Sequence, residues 1–367
     1  MVAWGIRRCI LKQLAVPFRI ENLIYLSATL LTIIVMQTIF LTRKWTHPVQ
    51  NTATVNQEIP STKVSKFPSA SYSMESTTRQ TLVSLRPDVC NECFVHDYSY
   101  IMDNEDICST EGNMTKVHTL VLITTAHQNT DRRAALRDTW LSLTRQNTAD
   151  VRYAFLLGFT PNIKIQIAVQ RENLFYRDII QEDFIDTYHN LTLKTMMGFK
   201  WASTKCKDAK FVMKTDDDMF VNLISLKKII RKNENTLQKS IAGFCNLIRI
   251  PIREKSSKWY MSYENYPHKK YPVYCSGTGY VTSMNVVHRV YNVSKNIPFV
   301  FLEDVYVSLC MRKLGFNMIH MEGFNTVPLK PGCMYKTNKI VTSHRVPPKI
   351  MRNIWRNCKD NNTSSAP

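Results

Sequence analysis

The chain has 367 residues, 44% hydrophobic and 21% charged, enough for one large or two ordinary domains with a substantial core. Its formal net charge of +19 calls for an anionic partner: nucleic acid, acidic lipid or a phosphorylated ligand. The N-terminal segment weakens the first two readings, because it sends the body of the chain to the far side of a membrane.

That segment is the uncharged run Leu23 to Leu41. At about 1.5 Å per residue it nearly matches a hydrocarbon core of about 30 Å. Arg7, Arg8, Lys12 and Arg19 precede it, opposed by Glu21, and Arg43 and Lys44 follow. The bias modestly favours a cytoplasmic N-terminus. A cleaved signal peptide would need a shorter apolar core and a small-residue cleavage site, yet the run ends in Ile39-Phe-Leu-Thr-Arg-Lys44. The expectation is a single-pass type II protein, with a tail over 1–22, an anchor over 23–41 and a lumenal or extracellular body. Sequons at Asn113, Asn190, Asn292, Asn361 and Asn362 agree with a secretory route. Of ten cysteines, all but Cys9 lie beyond the anchor, which suits an oxidising compartment. An odd number there leaves at least one free or paired between chains. Cys90-Asn-Glu-Cys93 has no second C-x-x-C or His pair to complete a zinc site, so a disulfide near a domain edge is expected.

Residues 42–113 read as a disordered lumenal stem. Through Ser84 they are rich in Ser, Thr, Gln, Asn and Pro and cannot bury enough surface to offset chain entropy. Order is expected to begin between Cys90 and Cys108, ahead of a catalytic domain over 114–367. There strands and helices alternate: a strand at His118–Thr125, a helix from Asp131 to Leu143 and a strand at Val151–Gly158. A helix over Ile163–Asp178, a short strand at Ile179–Asp183, a helix over Leu191–Thr204 and a strand at Lys210–Thr215 follow. This alternation predicts an α/β domain with a mainly parallel sheet and ligands at the carboxyl ends of strands.

The last of those strands ends in Asp216, Asp217 and Asp218. One aspartate would suffice to cap the helix starting near Asn222, and the spacing is not that of an EF-hand. Three adjacent carboxylates after a buried strand point to a divalent cation with a phosphate completing its shell. Arg133 and Arg137, four residues apart, share a helical face with Trp140 one turn on; the alternatives are an anion contact and a solvated basic face. Glu303 and Asp304 open a helix that runs to Gly315, either complementing its dipole or holding a base for a hydroxyl nucleophile. Aromatics cluster in Lys258-Trp-Tyr260 and Tyr271 to Tyr280, suited to stacking on sugar rings, and Gly277 and Gly279 permit close backbone approach. No P-loop lysine accompanies them. His344 ends an apolar run and matters only if the fold brings it to the Asp trio.

Together these residues resemble the inverting β-1,3-glycosyltransferases of glycosyltransferase family 31, and within it the β-1,3-galactosyltransferases. The resemblance rests on Arg133-x-x-x-Arg137-Asp-Thr-Trp140, Phe155-Leu-Leu-Gly158 and Asp183-Phe-Ile-Asp-x-Tyr-His-Asn-Leu-Thr-Leu-Lys-Thr195. It continues through Val212-Met-Lys-Thr-Asp-x-Asp-x-Phe-Val-Asn222, Lys258-Trp-Tyr260, Tyr274-Cys-Ser-Gly-Thr-Gly-Tyr280 and Leu302-Glu-Asp-Val-Tyr-Val307. It implies a GT-A-type nucleotide-sugar-binding fold with a mixed, mainly parallel central sheet, anchored in the Golgi membrane. It further implies UDP-galactose as donor, Mn²⁺ as cofactor and an N-acetylhexosamine-terminated glycan of a glycoprotein or glycolipid as acceptor. Carried over by position, Asp218 and His344 hold the metal with Asp216, which also supports the donor. Asp217 is the middle position that the motif leaves free to vary, placed on the cofactor side. Arg133, Arg137 and Gly277 fall where the family handles the donor, and Asp304 is the base. Ser308 departs from the glycine of related sequences. The same fold could carry UDP-N-acetylglucosamine or UDP-N-acetylgalactosamine, or serve an inactive glycan-binding relative. A phosphoesterase lacks its clustered two-metal spacing. Nucleic acid is not an expected partner, and the oligomeric state is left open between monomer and homodimer.

Overall fold

Apolar runs bounded by turns become strands here because two layers of helices cover both faces of one sheet. A computed structural model describes residues 86–111, 115–245 and 249–358. The expected tail, the anchor, the stem through residue 85 and the sequons at Asn113, Asn361 and Asn362 lie outside the described residues. No helix among the described residues is long and apolar enough to cross a membrane.

In chain order, β1 (Tyr100–Met102) and β2 (Thr119–Thr124) precede α1 (Thr130–Asp138), followed by β3 (Val151–Phe159) and α2 (Ile163–Tyr176). Next come β4 (Ile179–Ile185), α3 (Leu191–Lys205), β5 (Phe211–Asp216), the short β6 (Phe220–Val221) and α4 (Leu223–Lys232). The remainder is β7 (Ser240–Gly243), β8 (Gly279–Ser283), α5 (Met284–Ser294), α6 (Glu303–Leu314), β9 (Asn317–His320), β10 (Thr342–Ser343) and α7 (Pro348–Asn357).

The main sheet has the order β1-β4-β3-β2-β5-β8-β7-β9. Strands β4, β3, β2 and β5 are parallel, whereas β1 and β8 run antiparallel to their neighbours, so the sheet is mixed and mainly parallel. Strand β2 is buried throughout, as a parallel strand covered on both faces must be. Its alternate residues sort the core: Leu120 and Leu122 face α3, α5 and α6, while Val121 and Ile123 face α1, α4 and α7.

From β2 the chain steps outward to β3 and β4, then returns to lay β5 on the other side of β2. Strand order therefore reverses between β2 and β5, the topological switch point at whose carboxyl edge α/β sheets bind ligands. Thr124 pairs with Asp216 at that edge, so the register places the Asp trio at the switch point.

Two expectations change. The helix from Asp131 stops at Asp138, and a 3-10 turn covers Trp140–Thr144. Thr139 breaks the helix, its hydroxyl donating back to the Ala135 carbonyl at 2.6 Å. The break turns Trp140 into the core, where its indole N–H donates to the Met219 carbonyl at 3.1 Å. The stem also ends earlier than residue 113. Residues from Arg86 onward pack on the same body: β1 joins β4, and Cys108 is bonded to Cys206.

Cys90–Cys93, Cys245–Cys275 and Cys333–Cys358 complete four disulfides among the described residues. The odd cysteine is Cys310, free and buried in α6, so it is inaccessible for pairing between chains. The sequon residue Asn292 is exposed on α5. Asn190 is half-buried ahead of α3, its amide donating to the Ile185 carbonyl at 2.7 Å.

Candidate active site

Strand β5 carries its last residue, Asp216, into a cleft of about 610 Å³. Helix α4 is capped by Asn222, whose side chain accepts the Ser225 N–H at 3.1 Å, so the aspartates are not needed as its cap. Their three roles differ. Asp216 Oδ1 accepts from Lys214 at 2.8 Å and from the Thr124 hydroxyl, leaving Oδ2 for the cleft. Asp217 is buried and accepts from Thr125 at 2.6 Å, Asn129 at 2.8 Å and Arg132 at 3.0 Å. It is a structural acceptor that ties β5 to the turn before α1, not an open donor contact. Asp218 is the unsatisfied one: its Oδ1 is buried without a hydrogen-bond partner.

His344 reaches Asp218 because β6 and β10 pair, Phe220 opposite Ser343. Next to that ladder the Val346 N–H donates to the Asp218 carbonyl at 2.9 Å. The two side chains meet at 3.5 Å, Nε2 to Oδ2. The Thr326 carbonyl, 3.0 Å from Nδ1, can only accept, so Nδ1 carries a proton and Nε2 is the nitrogen offered to the cleft. Hydrogen bonding to Asp218 raises the His344 pKa. Burial disfavours the Asp218 charge, but His344 and Arg132 outweigh it and hold that carboxyl below its ordinary range. Among the described residues no three acidic, His or Cys side chains are grouped so that they could hold a metal ion. The chemistry of the Asp218–His344 pair, an orphaned carboxylate oxygen beside an oriented imidazole, suits a hard divalent cation.

In the same cleft, Glu303 and Asp304 open α6. Asp304 accepts from the Val305 N–H at 2.9 Å and the Gly277 N–H at 3.3 Å. Burial raises its pKa against the pull of these two bonds. Glu303 is more deeply placed, and burial pushes its carboxyl up to about 7. Gly277 has a steric reason to be glycine: a Cβ there would overlap Glu303 Oε1, which Lys214 holds in place.

A second compartment of about 320 Å³ adjoins the first, lined by Thr125, Arg132, Lys194, Asp217 and Asp218 among others. Tyr188, Leu191, Asp216 and His344 line both and form the junction. The larger compartment carries Lys258, Trp259 and Tyr274, with Asp304 in its wall. Tyr266 and Tyr280, from the same aromatic stretches, are core. Ser308 is buried beneath the cleft wall and donates to the Val273 carbonyl at 2.7 Å.

Arg133 and Arg137 do not reach the cleft. Arg133 is fully buried, clamped on Glu172 at 2.8 and 2.6 Å and on the Ala126 carbonyl at 2.7 Å. Arg137 binds Asp178 at 2.8 Å through two nitrogens and stacks on Tyr176. Both guanidiniums are spent on internal carboxylates, which corrects their expected donor contact. The cations facing the smaller compartment are instead Arg132, 41% exposed, and Lys194. Lys194 donates to the Thr125 carbonyl at 2.6 Å and to Asp186 at 2.8 Å. Lys214 and Lys194 escaped the sequence reading, although a lysine inside an otherwise buried run is itself a signal that a carboxylate waits there.

A family model described as galactosyltransferase matches residues 131–322. Beta-1,3-galactosyltransferase 1 of Homo sapiens and of Mus musculus is 38% identical over 262 residues, covering 71% of this chain and 78% of theirs. Human beta-1,3-galactosyltransferase 5 is 38% identical over 265 residues, covering 70% of this chain and 84% of its own. Among solved structures, a galactosyltransferase crystallised with donor and acceptor sugar analogues aligns at a TM-score of 0.35 and 12% identity, over 68% of this chain and 97% of that one, too loose to carry an argument. The match spans the Asp trio, Gly277 and Asp304, and on it the chain belongs to the galactosyltransferase family.

Proposed function

We propose that this protein transfers galactose from UDP-galactose in β-1,3 linkage to an N-acetylhexosamine-terminated glycan, inverting the anomeric centre. One observation carries the chemistry: Asp304 lines the same cleft as Asp216 and His344 but not the adjoining compartment that holds Asp217 and Asp218. A base in one compartment and a leaving-group site in the adjoining one supply the two groups that a single displacement needs.

Asp304 takes the proton of the acceptor 3-hydroxyl, whose oxygen forms a bond to the sugar's anomeric carbon. The bond from that carbon to the diphosphate breaks, and UDP leaves with the electron pair. Burial makes Asp304 a stronger base than a solvated carboxylate, and two backbone N–H groups fix its direction. Arg132 and Lys194 line the compartment where the diphosphate charge would lie. Asp218 and His344, with Asp216, would hold Mn²⁺. When bound, the ion supplies Lewis-acid neutralisation of the diphosphate. Trp259 and Tyr274 offer faces to the acceptor's sugar rings.

Four disulfides support a lumenal location for the catalytic unit. With the expected anchor over 23–41, that makes a type II Golgi membrane protein the preferred setting.

Asp304→Asn tests the mechanism. Transfer is expected to fall by about 10³-fold or more, in the range of a lost general base, with UDP binding in Mn²⁺ retained by calorimetry. Wild-type turnover in this variant would remove Asp304 as the base.

A further inference from the structure

Lys214 is a charge sealed from water. Only 2% of its side chain is exposed, within the apolar strand β5. Burial opposes its charge, but Asp216 and Glu303 outweigh burial and keep the ammonium protonated. Its nitrogen donates to Asp216 Oδ1 at 2.8 Å, Glu303 Oε1 at 2.9 Å and the Gly277 carbonyl at 2.6 Å. An ammonium has three hydrogens, and each has found one acceptor.

The acceptors come from three separate places: the end of β5, the start of α6 and the turn before β8. Each adjoins a group that the transfer reading uses. Asp216 lies where the two compartments meet. Glu303 immediately precedes Asp304. Gly277 receives Lys214 on its carbonyl and holds Asp304 with its N–H. The neighbouring space is full, since a Cβ on Gly277 would overlap the Glu303 carboxylate that Lys214 bonds. No other described side chain bonds all three elements at once.

We propose that Lys214 is a positioning residue, a three-point tether that fixes the base-bearing turn relative to the donor-side carboxylate. The inference rests on the transfer reading above. The plainer role, neutralising the buried Glu303, makes a different prediction. A tether acts through geometry, and a displacement of about 1 Å at a reacting group is enough to cost about 100-fold in rate.

Two variants of the full chain separate the roles. Lys214→Arg keeps the charge, but its planar fork cannot place three hydrogens as an ammonium does. Lys214→Met with Glu303→Gln removes the cation together with the buried anion it offsets. For each, the thermal midpoint, UDP binding with Mn²⁺, and kcat and KM for UDP-galactose are measured. The tether predicts a double variant with a midpoint near wild type and kcat down about 100-fold, with KM within about threefold. It predicts Lys214→Arg with kcat down at least about tenfold. If kcat recovers with the midpoint in the double variant, or Lys214→Arg turns over like wild type, charge neutralisation is the whole role and the proposal is overturned. A raised KM at unchanged kcat also overturns it, by making Lys214 a donor-binding group. Turnover of the unmodified chain checks the transfer reading, and the variant-to-wild-type ratio checks Lys214, so either can fail alone.

Discussion

Arg132 and Arg133 are adjacent on α1 and point into different worlds. Arg132 is 41% exposed beside Asp217 and Asp218, whereas Arg133 is sealed against Glu172. One step along a helix is about 100°, so spacing alone shows that Arg133 and Arg137 share a face without showing which face meets the ligand. The two substitutions should therefore separate. Arg132→Ala is expected to raise the KM for UDP-galactose about tenfold, the worth of one charge-assisted contact, with a smaller loss of stability than Arg133→Ala because Asp217 keeps Thr125 and Asn129. Arg133→Ala is expected to cost about 3–5 kcal/mol of stability, because it breaks a buried ion pair, empties a fully buried site and leaves Glu172 with Arg137 alone. Equal KM effects with equal stability would contradict the assignment. Glu303 adds a pH signature. Its carboxyl moves from an ordinary 4.5 up to about 7 on folding, so between those values the folded protein binds more protons there than the unfolded chain. Stability from this group is full below about pH 4.5 and is lost as pH rises through 7. Thermal midpoints of wild type minus those of Glu303→Gln should fall across that window. A flat difference would show that Lys214 fully compensates the buried charge.

At the scale of elements, the β2–β5 core was legible because buried parallel strands read as continuous apolar runs between turn residues. The β6–β10 ladder was not, since each strand is two residues long and far below any periodic signal. Yet that ladder is what delivers His344 to Asp218. The cleft wall over residues 249–275 was legible only as an aromatic composition. Its shape comes from tertiary staples: the Cys245–Cys275 bond, and Arg253 donating to the carbonyls of Met261, Tyr266 and His268. The segment after the stem adds to these, with Asp88 on His268 and Arg86 on the Asn265 and Phe299 carbonyls. Because Lys258 and Trp259 ride on this wall, Cys245→Ser with Cys275→Ser should raise the acceptor KM more than the donor KM. Steady-state kinetics with each substrate varied in turn checks this, and a rise confined to the donor would contradict it.

At the scale of the whole molecule, the sheet assembles one site from parts distant in sequence. Strand β5 brings the carboxylates, β10 the imidazole, α6 the proposed base and the wall over residues 249–275 the aromatic rim. The residues could be read individually from the chain, but their convergence depends on the order reversal at β2 and on β8 entering antiparallel beside β5. Strand β8 itself was hidden, because Gly277, Gly279 and the tyrosines around them read as a ligand loop before they read as a strand. The central claim is the bond the site makes. The most direct measurement is to incubate the full chain with UDP-galactose, Mn²⁺ and an N-acetylglucosamine-terminated acceptor, and to determine the linkage of the product by NMR. A β-configured galactose on the 3-hydroxyl, absent with Asp304→Asn, is the predicted result. An α-configured product, another linkage, or transfer that survives Asp304→Asn would contradict the account.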